Sequence, residues 1–523
     1  MVPYRCFAKD RLTRGPDGHE TIATVSTWLE AAGRFARDRG LGDNAVDLLR
    51  CFAGPEPRGG PPPPPEDPWS DDFEALECER LADSLDVIAD ALEHEVDRSQ
   101  AELFARRLRT VDGALAALGD DHGRLLRVGL RQRVRGIIAS PIARATRIRA
   151  LADFYFSHVG LHIHRRAGGG GPPIETLARA ARWRSVQPGL EHARIESDSD
   201  MGPLHVNLLR VDPQRMRLRA EDCRASAQHG IPFATHVEQR GARAGISGGF
   251  FLYSEPDIAP PSRRFDPVGL LVQDGRVLSP PVFARGCLTV DADGVPRIGR
   301  IGMTAVECET PDGHRWRPDT VVNRAQARRG PPVPSAAIVG HEVVATGSAL
   351  PVPLNGFVVA LPTDVSLRVG DPLRYPAVHG PTGLVHDGIA GGPLLLERGR
   401  PCLHMRDEDF WGSAPPVTFS QDETGDRNLL PRLAAGLTPE GTLVLAAIDG
   451  RNFERALGMT LGGVGRLLQA LGCDVATNLD GGSSKRMVLD GRALDLASTE
   501  IVAEGVATVS VRPVHTALLL FAE

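Results

Sequence analysis

Lysine is almost missing from this chain of 523 residues: only Lys9 and Lys485 stand among its 60 basic residues, the rest being arginine. A GC-rich coding bias produces such a pattern, and so does a use of arginine for bidentate phosphate contacts; composition alone does not separate the two. Aromatic residues make up 5%, too few for an extended base-stacking surface. The net charge of -6 argues against a protein that coats nucleic acid. No run of about twenty apolar residues is present to span a membrane. The first twenty residues contain no apolar segment of the kind that directs export, so the expectation is a cytoplasmic protein. Eight cysteines, at 6, 51, 78, 223, 287, 308, 402 and 473, include no CxxC pair. That excludes a zinc ribbon or thioredoxin motif, and the scattered thiols suit a reducing compartment.

What is present is ordinary globular material, 42% hydrophobic and 24% charged, at a length that suits two to four domains. Apolar residues at helical spacing predict helices over 22–37 and 43–52, the second with Asp43 as N-cap. Residues 54–68 (GPEPRGGPPPPPEDP) cannot be helical, because proline lacks the amide donor, and read as a polyproline linker. Beyond it Phe73, Leu76, Leu81, Leu85, Ile88 and Leu92 mark an apolar stripe, and further helices are predicted over 100–118, 125–138 and 141–164. Their short connections predict an antiparallel bundle. Arg124, Arg127, Arg131, Arg133 and Arg135 form a basic stretch that reads as a solvated face.

The GGGGPP stretch at 168–173 marks a boundary. After it come short apolar runs bounded by Gly, Pro or Asp at 205–211, 269–272, 356–361, 442–448 and 508–512, which are strand signals, with a helix at 464–471. The predicted organisation is therefore an N-terminal helical segment (1–53), a Pro-rich linker (54–69), a helical bundle (70–166), a Gly/Pro linker with a short helix (167–182) and a domain over 183–523. The fold class expected is α+β, an all-helical bundle followed by a domain with a large mixed sheet. The helical part is expected to offer a surface for a protein partner or for homo-oligomerisation.

Six polar clusters stand out in the C-terminal part. Paired glycines in Ser247-Gly248-Gly249-Phe250-Phe251 let backbone amides approach an anion or a sugar. Asn323-Arg324 follows an apolar pair. His386 and Asp387 precede Gly388-Ile389-Ala390-Gly391-Gly392-Pro393-Leu394. Arg432 opens 432–436, and Asp449-Gly450-Arg451 follows a Val/Leu strand, its acid and guanidinium two residues apart. The richest is Asn478-Leu479-Asp480-Gly481-Gly482-Ser483-Ser484, one acid with several amides and two hydroxyls in a compact turn. An Asp-Gly hairpin turn explains only part of it.

In order and spacing these clusters resemble the phosphodiester glycosidase family over about 183–521. The family pattern is a strand ending in Asp-Pro (here 206–213), an Asn-Gly-Gly-Phe-Phe turn (247–251), Gly-Gly-Pro-x-Leu (391–395) and Arg-Thr-Ala-x-Gly (432–436). Asp-Gly-Arg (449–451), a helix start (Gly458, Met459, Thr460) and Asn-Leu-Asp-Gly-Gly-Gly-Ser (478–484) complete it. The chain departs at Ser247, Leu433 and Ser483, where the family has Asn, Thr and a third Gly. The resemblance implies hydrolysis of a sugar-1-phosphodiester at the bond from the anomeric carbon to the phosphate oxygen. The carboxylates implied at that carbon are Asp480 and Asp449, in roles left open, with Arg432, Arg451 and Arg324 gripping phosphate. Ser247, Gly248, Gly249, Asn323, Gly391, Gly392, Thr460, Asn478, Gly481, Gly482, Ser483 and Ser484 would line the substrate. Two rival readings stand beside it. One is a metal-assisted hydrolase of a nucleotide or nucleotide-sugar phosphoester, with Ca2+ or Mg2+ on Asp387, Asp449 and Asp480. The other is a glycan- or phosphate-binding module without catalysis.

Overall fold

A computed structural model describes residues 170–252, 258, 260–403, 405, 407–410, 429–450, 455–496 and 513–522. The helices and linker expected before residue 170, and the strand expected at 508–512, lie outside the described residues. Among those described, the domain expected to be α+β with a mixed sheet is instead a β-structure. It has twenty-five strands and four short α-helices, and every strand pairing is antiparallel. The reason lies in the connections. Strands such as Leu190–Ser199 and Gly202–Val211, or Arg285–Asp291 and Pro296–Ile301, follow one another through tight turns, and a tight turn can only join antiparallel neighbours.

The centre is an eight-stranded sheet in the order Arg184–Gln187, Leu190–Ser199, Gly202–Val211, Leu443–Ile448, Arg432–Leu437, Val475–Asn478, Leu394–Glu397 and Arg400–Pro401. Its inner strands read as continuous apolar runs because both faces are covered. Leu204, Val206, Leu208, Val444, Ala446 and Ile448 enter one core cluster. Leu209, Val211, Leu443, Leu445 and Ala447 enter the other. On the first face lies the helix Leu461–Ala470, which buries Leu461, Val464, Leu467 and Leu468. The short helix Ile174–Arg179 packs beside it, with Arg466 Nη1 3.0 Å from Glu175. Against the second face stand two five-stranded sheets. One contains Ala244–Ser247, Met487–Leu489 and Thr516–Ala522; the other contains Leu271–Gln273 and Val385–Ala390. A four-stranded and a three-stranded sheet complete the structure. Among the described residues no helix is long and apolar enough to cross a membrane.

Candidate active site

The register of the central sheet brings four of the polar clusters, those at 391–392, 432, 449 and 478–480, to one of its ends. Val206 pairs with Ile448, Ile448 with Arg432, Ala434 with Asn478, and Thr477 with Leu394. The residues just past those positions are His205, Asp449, Asp480 and the Gly391-Gly392 pair, and Arg432 opens its own strand among them. Asp449 and Asp480 leave strands separated by one neighbour, so their exits lie on the order of 10 Å apart at a strand spacing of about 4.8 Å.

Hydrogen bonds then sew the loops together. Gly392 N donates to Asn478 O at 2.7 Å, Asn478 Nδ2 to Gly392 O at 2.9 Å, and Asp480 N to Gly248 O at 3.0 Å. Gly482 N donates to Pro431 O at 3.0 Å. Two glycines are dictated by close approach. A Cβ on Gly391 would stand 2.2 Å from Asn478 O, and one on Gly249 would stand 2.3 Å from Ala390 O.

The two carboxylates occupy different surroundings. Asp449 is 2% exposed. Its Oδ1 receives Lys485 Nζ at 2.5 Å, and its Oδ2 receives His205 Nδ1 at 2.5 Å and Leu496 N at 3.0 Å. Burial by itself would raise its proton affinity. The Lys485 charge and the bonds from His205, Lys485 and Leu496 outweigh burial and hold the carboxyl below the ordinary aspartate value. Lys485 is sealed from solvent and also reaches Asp495 Oδ2 at 2.9 Å. Burial alone would discharge it, but Asp449 and Asp495 keep the ammonium above the usual lysine value. Arg486 Nη1 lies 3.2 Å from Asp495, and Arg486 N donates to Ser247 Oγ at 2.9 Å. Asp480, by contrast, is half-buried, and its Oδ2 accepts Ser484 Oγ at 2.6 Å. Asp480, Ser484 and Lys485 share one turn, so the chain that presents the more open carboxylate also delivers the cation to the sealed one.

Other residues singled out in the sequence have different partners. Arg432 is buried, and its Nε donates to Met459 O at 3.1 Å. Its cross-strand partner Ile448 puts it on the face opposite Asp449. Thr460 caps the helix Leu461–Ala470, accepting Gly463 N at 3.0 Å. Asn323 Nδ2 donates to Asp409 Oδ2 at 2.7 Å and Val282 O at 3.1 Å, and Arg324 Nη1 donates to Val352 O at 2.8 Å. These bonds of Thr460, Asn323 and Arg324 go to partners other than Asp449 and Asp480. Ser483 lies in the 3-10 turn Gly482–Ser484, and Arg451 is outside the described residues.

Asp387 belongs to a different sheet and is not joined to Asp449 and Asp480. It accepts Ala220 N at 3.0 Å and His386 Nδ1 at 2.7 Å, and burial pushes its carboxyl up against those bonds. Asp274, His386 and Asp387 have donor atoms within 4.8 Å of one another. Arg219 already holds Asp274 at 2.6 Å and His386 already holds Asp387. That group is satisfied as it stands, and an imidazole is a poor partner for Ca2+ or Mg2+.

His205, Lys485 and Asp495 are not among the residues the sequence motifs pointed to. The rarity of lysine was the one available signal for Lys485. His205 lies in an apolar strand run with no local mark.

A comparison with family models gives a match over part of the chain. Residues 358–521 match the phosphodiester glycosidase family. The matched stretch holds Gly391, Gly392, Arg432, Asp449, Thr460 and the whole 478–484 turn. Among solved structures, the chain is similar to a hypothetical protein from Synechocystis at 20% identity and TM-score 0.43, over 66% of this chain and 64% of that one. The chain thus spans less than two thirds of that protein's length. It is similar also to the catalytic domain of zebrafish N-acetylglucosamine-1-phosphodiester alpha-N-acetylglucosaminidase, auto-inhibited by pro-peptide. There the identity is 15% and the TM-score 0.39, over 66% of this chain and 88% of that one. No curated protein matches the chain.

Proposed function

We propose that this protein is a hydrolase that cleaves a sugar-1-phosphodiester between the anomeric carbon and the phosphate oxygen. The observation that carries the reading is the family match over 358–521, together with the convergence of its glycine-flanked clusters on one sheet end. The departing phosphate monoester remains anionic, so it needs positive charge more than a proton. Arg432, buried at the same sheet end as Asp480, and Arg451, which follows Asp449 in sequence, are the guanidinium groups we assign to that charge.

The surroundings of the two carboxylates divide the labour between them. A carboxylate that meets the oxocarbenium-like carbon must have a lone pair within reach of substrate. Both oxygens of Asp449 are committed, to Lys485 on one side and to His205 and Leu496 on the other. Asp480 is half-buried where Asp449 is sealed from solvent, so we assign it to the anomeric centre and Asp449 to the charged support behind it. Gly481, Gly482 and Ser484 sit in the same turn as Asp480, with Gly482 N donating to Pro431 O and the Ser484 hydroxyl to Asp480, so the turn is fixed beside the place a sugar would lie.

The test is turnover on a panel of sugar-1-phosphodiesters, with the products identified by mass and a parallel series in chelator. A sugar and a phosphate monoester, formed equally with chelator present, are the expected products. Binding without turnover on every member of the panel would refute the assignment. A loss of activity on chelation would move the chemistry to a bound metal.

A further inference from the structure

A protein that uses arginine almost everywhere has a lysine at one of its fully enclosed ionic positions. Lys485 is the lone lysine among the described residues, and it is 0% exposed. Its ammonium bridges Asp449 Oδ1 at 2.5 Å and Asp495 Oδ2 at 2.9 Å. Arginine would replace it only in part, because a planar guanidinium is larger and needs several acceptors in a fixed fork, whereas an ammonium is a compact point charge. Removing such a cluster from water costs more than a surface ion pair returns, so stability alone gives little reason to keep it. Its location is specific. Lys485 follows Ser484, whose Oγ holds Asp480, and precedes Arg486, whose backbone N and O bond Ser247. One short segment therefore touches the Asp480 carboxylate, the Asp449 carboxylate and the 247–249 turn.

We propose that Lys485 is a positioning residue of this site, its ammonium tying the turn that presents Asp480 to Asp449 and keeping Asp449 an anion while the reaction runs. The proposal rests on the functional reading given above. The groups that face Asp449 come from three directions. His205 stands on the neighbouring strand, with Glu196 opposite it on Leu190–Ser199 and Arg455 bonded to Glu196 at 3.0 Å. Lys485 and Arg486 come from the turn after Asp480. Asp495 and the Leu496 amide come from the segment after Arg492–Ala493. Among the described residues Lys485 is the cation in direct contact with the Asp449 carboxylate. Without Lys485, burial would be opposed only by the two bonds from His205 and Leu496, and Asp449 would take up a proton at a higher pH.

The experiment compares the full-length wild-type chain with Lys485→Met and Lys485→Arg, measuring kcat and KM on a cleaved sugar-1-phosphodiester from pH 3.5 to 9. The folded fraction of each variant is fixed by circular dichroism at every pH. Loss of a facing opposite charge moves a carboxylate by about 1–3 pH units, so the acidic limb of kcat/KM in Lys485→Met should rise by about that much. At pH 5 this corresponds to a loss that is small if the limb moves by about 1 pH unit and reaches tens of fold if it moves by about 3, mostly in kcat, while activity near pH 8 recovers toward wild type. Lys485→Arg keeps the charge and should return part of the limb toward its wild-type place. A Lys485→Met profile that superimposes on wild type overturns the proposal. So does a uniform loss at every pH that tracks the folded fraction, since that is what a purely structural role would give. If the wild type cleaves nothing on the panel, the reading of the site falls and the proposal with it. If the wild type is active and the limb does not move, only the role of Lys485 falls.

Discussion

Gly391→Ala tests whether the polar clusters form one rigid unit. The added Cβ would stand 2.2 Å from Asn478 O, 2.8 Å from Leu479 Cδ2 and 3.1 Å from Leu479 Cα. Two of the three obstacles are backbone, and Asn478 is pinned in the central sheet by its pairing with Ala434. Relief therefore requires the 391–393 loop to withdraw by about 1 Å, which strains the bonds between Gly392 and Asn478 in both directions and the bond from Asn478 N to Pro393 O. Overpacking of this kind costs about 1–3 kcal/mol, and each of the three bonds adds about 1 kcal/mol if it is lost, so the expected destabilisation is about 2–6 kcal/mol. A displacement of about 1 Å beside the Asp480 turn should also lower kcat/KM on the order of 100-fold. Equilibrium urea unfolding gives the first quantity, and turnover measured well below the unfolding transition gives the second. Gly462→Ala is the control. It lies on the exposed side of Leu461–Ala470 with open space where its Cβ would go, and the change should stabilise by up to about 1 kcal/mol. Were Gly391→Ala to unfold at the same urea concentration as wild type with unaltered turnover, the loops would not be coupled in the way described.

Other substitutions separate the residues at the sheet end from those that support it. Asp480→Asn should lower kcat by at least about 100-fold while the circular dichroism spectrum and unfolding midpoint stay at wild-type values; near-normal hydrolysis would remove Asp480 from the anomeric centre. Asn323→Ala takes a donor from buried Asp409, which keeps Ala284 N and Gln326 Nε2. It should cost about 1–3 kcal/mol of stability with little change in KM, and a large rise in KM would instead place Asn323 against substrate. The pH dependence of stability follows the sign of Asp449. Its proton affinity is lowered by folding, so its contribution is present above the unfolded aspartate value near 3.9 and is lost as pH falls through the folded value below it. In Lys485→Met the sign reverses, and the deficit relative to wild type should be largest near neutral pH and shrink toward pH 4, as read from urea midpoints across that range.

Much of the sheet end was legible because its marks are local. A carboxylate at the end of an apolar run, followed by paired glycines, identifies 449–450 and 478–484 whatever the rest of the chain does. Steric demand explains the glycines, since Gly249 and Gly391 have no room for a side chain. The strand class was harder to read. Runs such as 443–448 are apolar at every position, which fits a strand of a mixed α/β sheet as well as one buried between antiparallel layers. Asn323 and Thr460 show the same ambiguity. A polar side chain beside a strand or helix start looks alike in sequence whether it meets a ligand, a buried carboxylate or the first turn of its own helix.

The sequence by itself determined where strands end, which turns need glycine and which acids stand beside them, because those properties follow from the conformational range of a few adjacent residues. Only the tertiary structure decided which acid is sealed and which is open. Asp449 meets His205 across 244 positions of chain and Lys485 across 36. Such encounters are set by the packing of whole sheets, and no local pattern of residues carries the information.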